Sequence, residues 1–211
     1  MLEQYDLGNL MVLDIETVPQ YSSFDKVPDV LQELWAHKTQ YQRKDETPRE
    51  FYERAGLRVK SFAGHEEKEL LEDFGKMLSA QPSTIILCAH NGKEFDFPYI
   101  CRRMLINGVP FPPHLQIAGR KPWEIPHLDT MELWKFGDYK NYTSLSLLTA
   151  IFNIPTSKDD IDGSEVGNVY WVEDDLQRIR TYCQKDVVTV AQVYLRLNRE
   201  PLISPENIEI K

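Results

Sequence analysis

The chain has 211 residues, of which 42% are hydrophobic and 27% are charged, a balance typical of ordinary soluble globular proteins. No apolar run approaches the ~20 residues of a membrane span, and residues 1–6 resemble no signal peptide. Three widely spaced cysteines favour a reducing compartment, so we expect a cytoplasmic protein that does not bind membranes. The net charge of −9 argues against a large electrostatic footprint on duplex nucleic acid, although a few nucleotides could still bind through a metal.

The first predicted element is a buried strand over residues 10–19, an apolar run that Pro19 closes. Two carboxylates, Asp14 and Glu16, interrupt this run. Side chains two residues apart in a strand point to the same face, so the two acids project side by side. They indicate either a divalent-metal site or the solvated polar face of an edge strand, and this stretch alone leaves both alternatives open.

The sequence pattern of residues 20–83 predicts two short helices, a short strand and an amphipathic helix. Asp29 and Gln32 form an approximate capping box for one short helix, and residues 48–55 predict a second. Residues 58–63 alternate like a short strand, and residues 66–78 repeat apolar side chains at helical spacing. We expect the first two helices to lie on the surface.

The second buried strand is predicted over residues 84–89, where a continuous apolar run suits a strand covered on both faces. A turn follows, and then a helix over residues 95–107. Asp96 lies in the first turn of this helix, just after the strand, where α/β folds build active sites. The alternative is an acid that only complements the helix dipole, and Phe95 beside it could be a core aromatic.

Predicted strands and helices alternate along the chain, and this alternation indicates an α/β fold. Short strands are expected near Gln116 and over residues 126–128, and a helix over residues 144–152 with Thr143 as its cap. Residues 155–167 predict a loop, and residues 174–197 a helix in one or two segments. No linker divides the chain, so we expect one domain over residues 1–211.

The long helix carries a third polar site, Tyr182 and Asp186. The two residues are four apart and share one helix face, beside an apolar stripe that includes Val187 and Val190. An acid at the edge of a buried face usually has a partner. That partner is either a bound cation or the tyrosine itself, through a hydrogen bond that fixes the helix.

Together, the three sites resemble the exonuclease motifs of the DEDD superfamily in its tyrosine-bearing branch. The resemblance spans about residues 10–197, and it includes residues 14–19 in full and residues 162–166. It is strongest to stand-alone exonucleases similar to the proofreading domain of family B DNA polymerases. It implies a ribonuclease H-like mixed sheet flanked by helices, with one exonuclease domain whose core covers about residues 10–197.

The resemblance also implies a site that holds two divalent ions, Mg²⁺ or Mn²⁺. Its metal ligands are four carboxylates: Asp14, Glu16, Asp96 and Asp186. Tyr182 is the catalytic tyrosine, which orients the attacking water. Thr17 is expected to meet the terminal 3′-hydroxyl, Phe95 to wedge or stack against a base, and Asn91 to brace the site. Oxygen ligands are those that Mg²⁺ prefers, so the residue types suit the metal.

The implied function is 3′–5′ exonuclease activity on single-stranded nucleic acid, with DNA favoured, which releases nucleoside 5′-monophosphates. The alternatives are a non-catalytic nucleic-acid-binding or scaffold module of the same fold, and a hydrolase of short oligonucleotides. Substrate contacts are expected from Lys93, Arg102 and Arg103 or from aromatic side chains such as Trp123 and Trp134. The alternatives for these residues are a solvated helix face for the arginines and core or interface positions for the tryptophans.

One region departs from the family pattern. Relatives place a hairpin of two further long strands before the helix at residue 66, whereas here Leu57 passes almost directly to Arg58 and one strand. Either the sheet is reduced, or part of the natural chain is absent from this sequence. A missing strand would bare the edge of the strand that carries Asp14.

Overall fold

The computed structural model describes residues 10–12, 15–16, 29, 32, 36, 57–138, 140, 142–155, 161 and 163–211. The strands of this part are β1 (Leu10–Val12), β2 (Ile15–Glu16), β3 (Leu57–Val59), β4 (Ile86–Ala89), β5 (Leu128–Asp129) and β6 (Ile208–Ile210). The α-helices are α1 (Glu67–Ser79), α2 (Asp96–Ile106), α3 (Thr130–Lys135), α4 (Leu145–Ile151), α5 (Val166–Trp171) and α6 (Leu176–Leu197). The fold is therefore mixed α/β, as the alternation of strands and helices predicts.

The first sheet is parallel and has the order β1-β4-β5. Val12 pairs with Cys88, and Cys88 pairs with Leu128, so the three strands end at one edge of the sheet. The central strand β4 has neighbours on both sides, and this explains its continuous apolar sequence.

Helices cover both faces of this sheet, and the alternation of side chains in β1 assigns each residue to a face. Leu10 and Val12 pack with Val187 and Val190 of α6. Met11, from between them, packs into a second cluster. This second cluster combines fully or almost fully buried side chains of α1, α2 and β4: Phe74, Leu78, Leu87, Phe97 and Met104. Burying one such side chain stabilises the fold by roughly 1.5–3 kcal/mol, so these clusters fix α6 and α2 against β1 and β4.

The second sheet has the order β2-β3-β6. β3 runs antiparallel to β2, with Glu16 opposite Arg58, and parallel to β6, with Arg58 opposite Glu209. The Arg58 Nε lies 3.5 Å from a Glu209 carboxylate oxygen. Leu57 and Arg58 occupy consecutive register positions of β3, so the strand passes between them without a break. Most of residues 17–56 lies outside the described residues, so the reduced sheet and the missing segment both stay predictions. The C-terminal strand β6, which the sequence analysis did not predict, is the second neighbour of β3.

A buried histidine continues the ladder between β4 and β5. The backbone N–H of Leu87 donates to Nδ1 of His127, and Nε2 of His127 lies 2.8 Å from the carbonyl oxygen of His114. The carbonyl can only accept, so Nε2 carries the proton and Nδ1 is free to accept. His127 is therefore held as the neutral tautomer, and burial lowers its pKa to about 4.

Several predicted element boundaries were wrong. The strand expected over residues 58–63 is limited to β3, and a 3₁₀ turn rather than a strand precedes Gln116. Ser144, not Thr143, caps α4, because its Oγ accepts from the Leu147 N–H. α5 begins at Val166, inside the predicted loop over residues 155–167, and continues beyond it. The helix predicted over residues 174–197 is a single helix, Leu176–Leu197, with Asp175 as its cap.

The predicted helices over residues 66–78 and 95–107 are confirmed as α1 and α2. Gln32 is helical, as expected, and Ala36 is helical as well, whereas Asp29, which was expected to cap this helix, is itself helical. The helix predicted over residues 48–55 lies outside the described residues. In the part of the chain that the structure describes, no helix has the length and apolar character of a membrane span.

Candidate active site

The first two motifs follow, in the sequence, the carboxyl ends of β1 and β4, which are neighbouring strands of the parallel sheet. β1 ends at Val12, two residues before Asp14 in the sequence, and β4 ends at Ala89, just before the turn to Asp96. Ligands of α/β sheets bind at this edge, so the topology favours an active site here. Asp14 and Thr17 lie outside the described residues, as does the side chain of Glu16, so their predicted roles stay predictions.

Residues 91–95 form a tight turn, the Asn91 turn, that leads from β4 into α2. Asn91 adopts a left-handed conformation with φ 62°, and its carbonyl accepts from the Phe95 N–H at 3.0 Å. The carbonyl of Gly92 accepts from the Phe97 N–H at 2.9 Å. A Cβ added to Gly92 would lie only 2.4 Å from the Cβ of Ala89, so only glycine fits at this position. The turn therefore fixes where α2, and with it Asp96, begins.

We expect Gly92→Ala to lower the free energy of unfolding by about 1–3 kcal/mol, the usual cost of overpacking a well-packed site. The added methyl can be accommodated only if the turn moves away from Ala89. Urea unfolding measures the loss. Gly163→Ala is the matched control, because a Cβ there meets no atom within 4 Å. Equal stability of the Gly92 variant and wild type would contradict the close packing.

Asp96 is half-buried at the start of α2. Burial raises the pKa of its carboxyl, the negative charge of Asp129 raises it further, and a hydrogen bond from its own backbone opposes the shift. A carboxylate in such a place is more favourable when a cation neutralises it. This environment fits a metal ligand better than an acid that only complements a helix dipole.

Asp129 is a site residue that the sequence analysis missed. Its side chain is buried, with 2% exposed. One carboxylate oxygen accepts from the backbone N–H groups of Asn91 at 2.9 Å, Met131 at 3.0 Å and Glu132 at 3.3 Å. The other accepts from the Lys93 N–H at 3.1 Å. Asp129 followed three residues later by Glu132 has the spacing of a capping box, a signal that could have revealed the cap.

His90 connects the same turn to the segment before α4. Its Nε2 donates to the Thr143 carbonyl at 2.8 Å, so Nδ1 accepts from the Thr130 hydroxyl at 2.9 Å. Burial lowers the pKa of His90, which keeps this neutral tautomer. No sequence motif includes His90, but its two hydrogen bonds support the turn.

Tyr182 and Asp186 lie one turn apart in α6, as predicted, and both are half-buried. Val187, the next residue, and Val190 anchor this part of the helix in the cluster that contains Val12 and Cys88. α6 therefore lies against β1 and β4, the two strands that lead to the first and second motifs.

Phe95 is 60% exposed and stacks on Tyr99, with 5.7 Å between ring centroids and 18° between planes. The alternative of a core aromatic does not hold for Phe95, because Phe97 occupies the core position. Trp134 packs edge-on against Phe152, as its core alternative predicts. Trp123 is 77% exposed, with the Lys121 ammonium 5.3 Å from its ring centroid.

Two of the cations expected to bind substrate are paired within the protein. The Lys93 ammonium lies 2.9 Å from a Glu132 carboxylate oxygen, and its side chain is 12% exposed. Arg103 binds Glu67 through two of its nitrogens, and this pairing lowers the pKa of Glu67. These two charges thus tie elements of the fold together.

The described residues contain no group of three potential metal-binding side chains. Of the four predicted ligands, Asp96 and Asp186 lie within this part with their side chains. Both supply oxygen, the donor that Mg²⁺ and Mn²⁺ prefer. The side-chain oxygen of Asn91, in the turn that precedes Asp96, is buried and has no hydrogen-bond partner among the described residues. The donor set therefore fits a hard divalent cation.

A protein-family model described as "Predicted 3'-5' exonuclease related to the exonuclease domain of PolB" matches residues 47–201, more than half of the chain. The matched range includes Asp96, Tyr182 and Asp186, whereas Asp14 and Glu16 precede it. A search of curated proteins and a search of solved structures each gave no match.

Proposed function

Since the chain belongs to the family of predicted 3′–5′ exonucleases related to the exonuclease domain of PolB, we propose that it removes nucleotides from the 3′ end of single-stranded nucleic acid. The substrate is DNA in preference to RNA, and the products are nucleoside 5′-monophosphates. We assign it to the tyrosine-bearing branch of the DEDD superfamily, with one ribonuclease H-like domain. The observation that carries the proposal is that α2, which begins at Asp96, and α6, which carries Tyr182 and Asp186, both pack against strands β1 and β4.

Four carboxylates would hold two Mg²⁺ or Mn²⁺ ions in this proposal: Asp14, Glu16, Asp96 and Asp186. When bound, such ions activate water, neutralise charge on the phosphate and stabilise the leaving 3′-oxygen. The half-buried environment of Asp96 supports its part in the set, because its carboxylate is partly stripped of water. Glu16 and Asp14 are included through the resemblance of residues 14–19 to the first exonuclease motif.

Tyr182 orients the attacking water through its hydroxyl. A phenol has a pKa near ~10, so at neutral pH it is a hydrogen-bonding group rather than a strong base. Phe95 offers an exposed ring beside Asp96, on which an unpaired base can stack. Stacking suits this protein, since its net charge is −9 and Lys93 and Arg103 are paired with carboxylates. Thr17 meets the terminal 3′-hydroxyl, and Asn91 braces the site.

The experiment is a time course with a 5′-labelled single-stranded oligonucleotide in Mg²⁺ or Mn²⁺. We expect stepwise shortening that EDTA stops, and resistance of the same oligonucleotide when its 3′ end is blocked. Matched DNA and RNA sequences, and substrates of two to five nucleotides, test the preference for DNA and the alternative of a short-oligonucleotide hydrolase. Binding without any shortening in either metal would contradict the proposal and favour the non-catalytic module.

Removal of the Tyr182 hydroxyl should slow the reaction. We expect Tyr182→Phe to lower kcat about 10- to 100-fold with little change in KM, because a misplaced nucleophile costs up to about 10²-fold. Tyr99→Phe is the control, since it removes a hydroxyl but keeps the ring that stacks on Phe95. Steady-state kinetics on one oligonucleotide measure both variants. Equal losses in the two variants would rule out a specific role for the Tyr182 hydroxyl.

A further inference from the structure

We propose that Asp129 is a positioning residue that holds the Asn91 turn, and through it the Asp96 carboxylate, in the conformation that binds the divalent cation. The inference rests on the proposed function, because it takes Asp96 as a metal ligand. Asp129 itself is not one of the four carboxylates that the resemblance implies.

The position of Asp129 in the sheet places it beside the start of the turn. Asp129 pairs in register with Ala89, the last residue of β4, and the Asn91 turn begins two residues after Ala89. Its two oxygens then accept from the N–H groups of Asn91 and Lys93, two residues apart in the turn. A single buried carboxylate thus ties the end of β5 to the turn between β4 and α2.

Its hydrogen bonds show why Asp129 holds the turn rather than the metal. Both oxygens already accept backbone N–H groups, four in all when those of Met131 and Glu132 are included. The residue is only 2% exposed, so its carboxylate has almost no contact with solvent. Asp96, in contrast, is half-buried and lies directly downstream of the turn.

The turn needs such support because its backbone is unusual. Asn91 has φ 62°, in a region that residues other than glycine adopt infrequently, and Gly92 lies against Ala89. Two N–H groups directed at one carboxylate fix this conformation. Residues that orient a metal ligand without touching the metal change its affinity by about 10- to 100-fold when they are replaced.

The test combines Mn²⁺ binding, followed by the electron paramagnetic resonance signal of free Mn²⁺, with amide hydrogen exchange. In the full-length chain, we expect Asp129→Asn to weaken Mn²⁺ binding about 10- to 100-fold, with the number of ions per molecule unchanged. The amides of Asn91 and Lys93 should exchange faster. Asp96→Asn should lose Mn²⁺ while both amides stay protected, a pattern that separates a ligand from a positioning residue.

Two further variants control for loss of the α3 cap and for general destabilisation. Asp129→Ser keeps a hydroxyl that can cap α3 but is too short to bond both Asn91 and Lys93, so it should reproduce the weaker Mn²⁺ binding. Ser144→Ala removes a helix cap elsewhere and should leave Mn²⁺ affinity unchanged. If Asp129→Asn does not fold, Asp129→Ser provides the measurement.

Unchanged Mn²⁺ affinity in the Asp129 variants would overturn the proposal. Loss of one bound ion per molecule would also overturn it, because Asp129 would then be a ligand. A wild-type protein that binds Mn²⁺ but shortens no oligonucleotide would contradict the proposed exonuclease function, whereas the role of Asp129 would stand on the binding and exchange data.

Discussion

Asp96→Asn should reduce cleavage of a single-stranded oligonucleotide by at least about 100-fold and leave the protein at least as stable as wild type in metal-free buffer. Replacing residues that only orient a metal ligand already costs about 10- to 100-fold, so loss of a ligand should cost more. Stability should not fall, because burial raises the pKa of Asp96. The ionised carboxylate is therefore less favourable in the folded than in the unfolded chain, and asparagine removes this cost.

Glu94→Gln is the matched control for Asp96→Asn. It makes the same change of charge two residues away, on an exposed side chain of the same turn. Its activity should equal that of wild type. Cleavage rates from the oligonucleotide assay and thermal unfolding in EDTA provide the two measurements. Activity retained in Asp96→Asn would remove Asp96 from the ligand set, and a large loss of stability would show that its role is structural.

The free energy of unfolding should fall as the pH drops from about 6.5 to about 4, because His127 titrates in this window. Burial lowers the pKa of His127 to about 4 in the folded protein, below the usual value of 6.5. Between these two values the unfolded chain binds a proton that the folded chain does not, so acid favours unfolding. The expected slope approaches about 1.4 kcal/mol per pH unit, and the total is about 3 kcal/mol.

His127→Asn tests this assignment, because the amide oxygen can still accept from the Leu87 N–H but cannot be protonated in this range. Urea unfolding of both proteins at pH 7, 5.5 and 4.5 provides the comparison. The variant should show a flatter profile between pH 6.5 and 4. His90 contributes a change of the same sign in both proteins, since burial also lowers its pKa. Identical profiles would assign the acid sensitivity to other groups.

Sequence periodicity predicted the core elements because the spacing of apolar residues within one element already shows which of its faces is buried. Alternation sends Leu10 and Val12 to one face of β1 and Met11 to the other. A continuous apolar run marks β4 as a strand between two neighbours. The apolar stripe of α6 predicts the face that packs on the sheet and, with it, the common face of Tyr182 and Asp186.

The elements that sequence patterns did not reveal depend on distant contacts. β6 has only three residues, two of them exposed, and it is a strand because β3 pairs with it. The pairing of Lys93 with Glu132 and of Arg103 with Glu67 joins residues more than 30 positions apart, so their sequence neighbourhoods suggest free cations instead. The exposure of Phe95 likewise follows from Phe97 taking the core position two residues later.

The sequence motifs of the candidate site could be recognised, but the residues that support the Asn91 turn could not. Asp96, Tyr182 and Asp186 are recognisable from spacing and resemblance. Asp129 is brought to the Asn91 turn by the register of β4 and β5. His90 is next to Asn91 in the sequence, but its supporting contacts, to Thr130 and Thr143, come from distant segments.

The pairing of β3 with β6 also constrains the order in which this protein can fold during synthesis. Leu57 and Val59 are fully buried, and their register partners are Ile208 and Ile210. One hydrogen-bonding edge of β3 therefore stays unpaired while about 150 further residues are translated. This takes on the order of 10 s at ordinary ribosome speeds. An open apolar strand edge is a template for pairing with another chain. The nascent protein is thus exposed to aggregation in that interval, until β6 is translated and pairs with β3.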